Sequence, residues 1–198
     1  MTFDRTVFEA PATEVAPLLL GALLEVDDVV LRITEVEAYL GVGLDPGSHA
    51  YRKQGRKNAT MFGPPGHLYT YFTYGMHVCS NVVCSPEGEA SAVLLRAGEI
   101  VDGVEIARMR RVTSRTDADL ARGPARLTVA MNVGLADDGA DLSSSRVRLT
   151  LPAAASAYET SQRTGVSGAG GQPEFAWRFY LPGEPSVSPY KAWVPKKR

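Results

Sequence analysis

Along most of this chain hydrophobic and polar positions alternate with the period of two that marks half-buried strands, and only a few short stretches carry the 3.6-residue period of a helix. The runs "ALLEV" and "VVLRITEVEAYL", separated by Asp27-Asp28, predict a β-hairpin. Strands are predicted again over His67 to Thr73, Met76 to Val83 and Ala90 to Ala97, and later in "RVRLTL" and "FAWRFYL". Helices are predicted over Thr13 to Ala22, with Thr13 as N-cap and Pro17 pushing the start later, and in "VDGVEIARMRR" through Val101, Val104 and Met109. A further helix is predicted in "GPARLTVAMNVG", entered through Gly123-Pro124. Strands do not alternate with helices as a parallel βαβ array requires, and no internal repeat is present.

Two segments break the alternation. Residues 41–66 form a long polar loop with little periodicity, and a compact domain rarely keeps such a loop without a use for it. In "YFTYGMHVCSN" the chain reverses at Tyr74-Gly75-Met76, placing a large aromatic and a methionine where Asn, Asp or Gly is usual. Between Pro46 and Pro86 there is no Asp or Glu, and Arg52, Lys53, Arg56 and Lys57 cluster in "YRKQGRKNAT". A chain of net charge −1 thus has one locally positive region, beside the unusual hairpin. Taken alone, the four charges describe an ordinary solvated loop.

Length and composition add limits. With 198 residues, 44% hydrophobic and 22% charged, the chain is expected to form one globular domain over residues 1–198, with loosely ordered ends at 1–10 and 190–198. No apolar run approaches the roughly 18 residues that span a bilayer, and "MTFDRTVFEA" lacks a basic segment followed by an apolar one. A soluble, intracellular protein without membrane attachment is expected. Cys79 and Cys84 are too few for a disulfide framework or a zinc site and read as buried small residues, so no metal is expected.

Candidate chemistry begins in "RITEVEAYL". Side chains two apart share a face, so Ile33, Glu35, Glu37 and Tyr39 are expected on one side and Thr34, Val36, Ala38 and Leu40 on the other. Two carboxylates on one surface suit a solvated sheet face first, and otherwise a pocket in which burial and mutual repulsion prepare one for acid or base work. Spacing does not say which Glu. His49 in "DPGSHAY" and the tyrosines of "HLYTYFTYG", beside cationic residues, could stack on nucleobases, although an aromatic-rich strand is also ordinary core.

The order of these segments carries more than any one of them. "EVEAYLG", then "SHAYR", "NATMFGPPGHLYTYFTYGMHVCSNVV", "SAVLLRAGE" and "RGPARLTVAMNVG" resemble the alkyladenine (3-methyladenine) DNA glycosylase family of base-excision repair, from about Leu19 to Tyr180. The resemblance implies an α+β domain on a curved, mainly antiparallel sheet with helices around it and a protruding DNA-inserting hairpin. It implies a monofunctional glycosylase acting on damaged purines in double-stranded DNA, without cofactor or metal, as a monomer. Glu37 matches the general base that activates water, and Glu35 a supporting position. Tyr39 and His49 match residues that sandwich the flipped base, with Tyr71 on the other side, and Asn81 matches the asparagine that disfavours the 2-amino group of guanine. Tyr74 matches the wedge inserted through the minor groove, with Met76 beside it. Arg96 and Arg126 correspond to basic positions near DNA, joining Arg52, Lys53 and Arg56 as expected backbone contacts. Two features depart from the pattern. Position 77 is His where relatives often carry an aromatic, and the glycines after the Arg163 to Val166 motif suggest a mobile segment where a pocket wall is expected.

Two other readings remain at this point. A non-catalytic nucleic-acid-binding module would keep the wedge and basic loop without using Glu37. A carbohydrate glycosidase would use both glutamates, about 5 to 9.5 Å apart, but has no role for the apolar tip or the acid-free loop.

Overall fold

The fold turns on an irregularity in one long strand, Val29–Tyr39. The computed structural model describes residues 3–195. After a four-residue helix α1 (Ala12–Val15) and a 3-10 turn over Ala16–Leu19, strand β1 (Leu23–Val26) pairs antiparallel with β2 (Val29–Tyr39) around Asp27-Asp28. Pro17 and Gly21 keep the predicted Thr13 to Ala22 helix to this pair of short turns, with Pro11 rather than Thr13 at the N-cap. The first half of β2 buries Val29, Leu31 and Ile33 in the main core, whereas the second half buries Val36 and Ala38 there. The phase changes because the register with the neighbouring strand slips on both sides of Glu35. Ile33 therefore parts from Glu35, Glu37 and Tyr39, contrary to the uniform alternation expected. A bulge of this kind re-aims side chains.

The remaining strands build an antiparallel sheet around β2. They are β3 (Leu68–Thr73), β4 (His77–Cys84), β5 (Ser91–Asp102), β6 (Ala121–Arg122), β7 (Val147–Thr150), β8 (Glu159–Ser161) and β9 (Arg178–Tyr180). The main path runs β3-β4-β5-β2-β1-β7, with β6 on β5 and the β8–β9 pair on β2. At the bulge β2 exchanges β1 for β9, pairing Glu35, Val36 and Glu37 with Tyr180, Phe179 and Arg178. β5 extends to Asp102, so Val101 lies in a strand and the following helix α2 spans only Val104–Arg110. Helix α3 (Pro124–Met131) starts after Gly123, as predicted, and buries Leu127, Ala130 and Met131. No helix among the described residues is long and apolar enough to cross a membrane.

The expected α+β sheet architecture is thus present. Of the ends expected to be loose, residues 1–2 and 196–198 lie outside the described residues; residues Arg5–Glu9 form a 3-10 turn, Phe8 is fully buried, and Arg5 pairs with Asp141 at 2.8 Å. Residues 191–195 are exposed coil. Both cysteines are free and buried.

The β3–β4 hairpin closes through the Met76 amide, which donates to the Thr73 carbonyl at 3.2 Å. Tyr74 and Gly75 both take positive φ, 51° and 69°. Such a backbone suits the twist of a tight hairpin, and Gly adopts it freely. A tyrosine there costs about 1–2 kcal/mol, and its side chain is 81% exposed, with Met76 at 68%. An aromatic kept under strain in solvent has no folding rationale.

Candidate active site

The bulge directs Glu37 and Tyr39 to the side of the sheet opposite the main core, where they meet side chains from β3 and β4. Alternation places Tyr69 and Tyr71 on that face, and antiparallel register sets Asn81 opposite Tyr69 and Cys79 opposite Tyr71. These residues line one cavity of about 320 Å³, together with His49 from the long loop, Arg96 from β5, Thr164 to Ser167, and Tyr74 from the hairpin. Five positions singled out from sequence, Glu37, Tyr39, His49, Tyr71 and Asn81, converge here with the exposed Tyr74 at the rim. The volume falls at the small end of ligand pockets, about 300–1,000 Å³.

Glu37 is inaccessible to bulk solvent, and three donors face it. The Thr164 amide donates to Oε1 at 2.6 Å and the Tyr39 hydroxyl to Oε2 at 2.8 Å, while the Arg96 guanidinium lies 3.4 Å from Oε2. The two strand carboxylates are in different situations. Glu35 accepts from Arg96 Nε at 2.8 Å, Arg178 Nε at 2.6 Å, the Ser188 amide at 2.7 Å and the Ser188 hydroxyl at 2.9 Å. Burial pushes the Glu35 carboxyl upward, but the charges of Arg96 and Arg178 and these hydrogen bonds outweigh it and hold the group below its usual range. Saturated in this way, Glu35 is not available as the second carboxylate of a sugar hydrolase.

The same network corrects the expectation for Arg96. Its side chain is 8% exposed and held between Glu35 and Glu37, so it faces the cavity and cannot reach a DNA backbone. Burial works against its charge, but Glu37 and Glu35 raise its pKa further still. The lone Arg in the apolar run "SAVLLRA" was a signal of burial beside a carboxylate. Arg52, Lys53, Arg56 and Lys57 are all exposed. Asn58 folds their loop, its Nδ2 donating to the His49 and Lys53 carbonyls at 2.9 and 3.2 Å. Arg126, at the start of α3, is half exposed but ion-paired with Asp119.

Tyr39 and His49 both line the cavity, and Tyr71 stands beside His49. His49 meets Tyr71 edge to face, with ring centroids 4.6 Å apart and planes at 81°. Rings in such contact leave no room for a base between them, so His49 and Tyr71 form one wall. Burial lowers the His49 pKa, which favours the uncharged imidazole. Burial, then the Glu37 charge, raises the Tyr39 hydroxyl well above its ordinary value, keeping it a donor. Asn81 is 4% exposed and fixed by donation from Nδ2 to the Tyr69 carbonyl at 3.0 Å.

Sequence reasoning missed the pair that holds these walls. Arg163 is 1% exposed; it binds Asp45 through two contacts of 2.6 and 2.7 Å, and donates to the Ala38 carbonyl at 3.0 Å and the Gly170 carbonyl at 2.8 Å. Its guanidinium carbon lies 4.5 Å from the centroid of Tyr39, a cation–π contact backing that ring. One side chain thereby ties together the Tyr39 strand, the His49 loop and the glycine-rich segment. Two of the glycines after Arg163 serve close packing: a Cβ on Gly170 would meet the Gly47 amide nitrogen at 2.3 Å, and one on Gly171 the Val166 carbonyl oxygen at 2.2 Å. Gly165 to Ser167 form part of the cavity wall.

Comparison with known proteins gives the family. The family model for methylpurine-DNA glycosylase matches residues 6–185. A protein of Leifsonia xyli, provisionally named a 3-methyladenine DNA glycosylase, is 62% identical over 195 residues, covering 94% of this chain and 92% of that one. Proteins given the same provisional name in Streptomyces avermitilis and Nocardia farcinica are 51% and 48% identical, covering 98% and 96% of this chain and 94% and 92% of their own. The cavity therefore belongs to a hydrolase of the N-glycosidic bond whose substrate is DNA. More narrowly, the chain is a member of the methylpurine-DNA glycosylase family.

Proposed function

We propose that this protein excises alkylated or deaminated purines, flipped out of duplex DNA, by attack of a Glu37-activated water on C1′. The observation that carries the proposal is the placement of Glu37: a solvent-excluded carboxylate in an aromatic-walled cavity, with an exposed tyrosine wedge at its rim. Water attacks as the C1′–N bond breaks, Glu37 takes the water proton, and the bond's electron pair leaves with the base. No lysine attacks the sugar in this reading, so the product is an abasic site in an uncut strand.

The flipped base lies against the free face of Tyr39, with the His49–Tyr71 pair as the facing wall. Uncharged His49 does not repel 3-methyladenine or 7-methylguanine, which carry positive charge and leave readily. Neutral hypoxanthine and ethenoadenine need a proton as they depart. Asn81, held rigid by its own hydrogen bond, excludes the 2-amino group of normal guanine by shape. Tyr74 fills the gap in the base stack, with Met76 against a neighbouring base, and their insertion offsets the few kcal/mol of unstacking. Arg52, Lys53 and Arg56 contact backbone phosphates, as does Arg126 on release from Asp119. One chain acts on one lesion as a monomer inside the cell.

Duplexes carrying a single hypoxanthine or ethenoadenine, and methylated duplex DNA, are incubated with the protein and then treated with alkali to cleave abasic sites. Strand breaks that appear only after alkali, and vanish with Glu37→Gln while lesion binding persists, are expected. Excision by Glu37→Gln at the wild-type rate refutes the assigned base.

A further inference from the structure

The residue whose amide binds the catalytic carboxylate carries a second polar group, a hydroxyl. Thr164 donates its amide to Glu37 Oε1 at 2.6 Å and lines the cavity. Its hydroxyl Oγ1 is buried and finds no hydrogen-bond partner among the described residues. Buried hydroxyls are nearly always paired, and an orphan at a catalytic carboxylate calls for an explanation. The position is firmly set: the preceding Arg163 is anchored by Asp45 and by the Ala38 and Gly170 carbonyls, and the Gly165 amide donates to the Lys191 carbonyl at 2.8 Å.

We propose that Thr164 Oγ1 holds the attacking water against Glu37, an inference that rests on the glycosylase reading above. The amide already occupies one lone-pair direction of Oε1, and the other is open to a water proton. A water donating one proton to Glu37 and the other to Thr164 Oγ1 has its oxygen lone pair fixed in direction. As its oxygen bonds to C1′, the C1′–N bond breaks toward the base, the proton on Glu37 is transferred, and the proton on Thr164 stays with the new sugar hydroxyl. Thr164 is thus a water-positioning residue, and its effect is independent of which base leaves.

Single-turnover excision is measured for wild type, Thr164→Val and Thr164→Ser on duplexes containing hypoxanthine and ethenoadenine, together with lesion-duplex affinity and melting temperature. Thr164→Val is expected to slow both lesions by the same factor, about tenfold for one lost hydrogen bond in the transition state, with affinity within about twofold. Thr164→Ser restores most of the rate, and the melting temperature of Thr164→Val is no lower than wild type because the hydroxyl it loses has no protein partner. Excision by Thr164→Val at the wild-type rate overturns the water site, as does a loss that differs between the lesions, which would mean that the hydroxyl reads the base. Should Thr164→Val fail to fold, Thr164→Ala carries the same comparison. A wild-type protein that releases no base from any damaged duplex removes the glycosylase reading and this inference with it.

Discussion

Replacing Asp45 with Asn tests how the site is held together. The substitution keeps the shape but leaves one acceptor oxygen where the Leu40 amide uses Oδ2 at 3.1 Å and the Gly47 amide uses Oδ1 at 2.9 Å, so one backbone hydrogen bond is lost as well. It removes the charge that compensates Arg163, a guanidinium with both side chains of the pair 0% exposed. Two unit charges near 4 Å attract by about 4 kcal/mol at an effective dielectric constant of 20, and removing one member of a buried pair costs about 3–5 kcal/mol. With native stabilities of about 5–15 kcal/mol, this is a large share of the total. At about 2–4 °C per kcal/mol for a chain of this size, melting falls by about 6–20 °C. Urea denaturation, read as a midpoint shift at constant slope, measures it directly.

A contrast comes from Asp141→Asn, whose pair with Arg5 is about one-third exposed and is worth about 0–1 kcal/mol. Arg163 Nε is buried without a partner among the described residues, so the network is already imperfect. Replacing both members, Asp45→Leu with Arg163→Met, should therefore be less destabilising than Asp45→Asn alone. An Asp45→Asn protein within 1 kcal/mol of wild type, or a double variant worse than the single one, refutes the argument that an uncompensated buried charge dominates.

Other expectations are simpler. Tyr74→Ala should weaken binding to lesion duplex about 5-fold to 150-fold, from the ~1–3 kcal/mol of an aromatic–base stack, and should leave stability intact; unchanged affinity in a gel-shift titration removes the wedge. Reversing the charge of Lys53 and Arg56 together should flatten the log–log salt dependence of duplex binding by about 1.8 or more, and an unaltered slope returns the loop to ordinary surface. Glu35 titrates lower in the folded protein than in the unfolded chain, where the carboxyl lies near 4.5, so the stability it contributes is present above that pH and is lost as pH falls through the folded value. Denaturant midpoints of Glu35→Gln should accordingly show a flatter acid limb below about pH 4.5, from a lower starting stability. His49 also titrates lower when folded, so its contribution is full above about 6.5 and declines below that pH; His49→Phe should remove this shallower limb.

The elements most visible in the sequence are those set by neighbours along the chain. The β1–β2 hairpin follows from alternation and Asp27-Asp28, α3 from Gly123-Pro124, and the tip from an aromatic standing where a turn residue belongs. The motif order brought Glu37, Tyr39, His49, Tyr71 and Asn81 to one cavity. Contacts across distant segments were not legible. Arg163 and Asp45 are 118 positions apart, and no local pattern in "QRTGV" or "GLDPG" announces a buried ion pair. Arg96 is expected near DNA from the resemblance alone, and its apolar flanks in "AVLLRA" point instead to a buried position. The slip in β2 depends on its partner β5 as much as on its own residues, so alternation alone assigned Ile33 to the wrong face. Thr164 carries a plain hydroxyl, and only its place beside Glu37 distinguishes it.

That slip also gives the site an unusual sensitivity to chain length. Between Ile33 and Val36 two consecutive residues separate side chains that both enter the core. Deleting Thr34 would restore uninterrupted alternation and could be absorbed by the strand itself. If pairing with β5 held the bulge in place instead, Val36 and Ala38 would turn toward the cavity, and Glu37 would enter the core without its three donors. No single side-chain replacement could do as much. The loss of one codon at a residue with no assigned chemistry is therefore expected to be more harmful than most substitutions in the cavity wall, and a functional variant of this fold could shorten β2 there only if β5 changed its length in step.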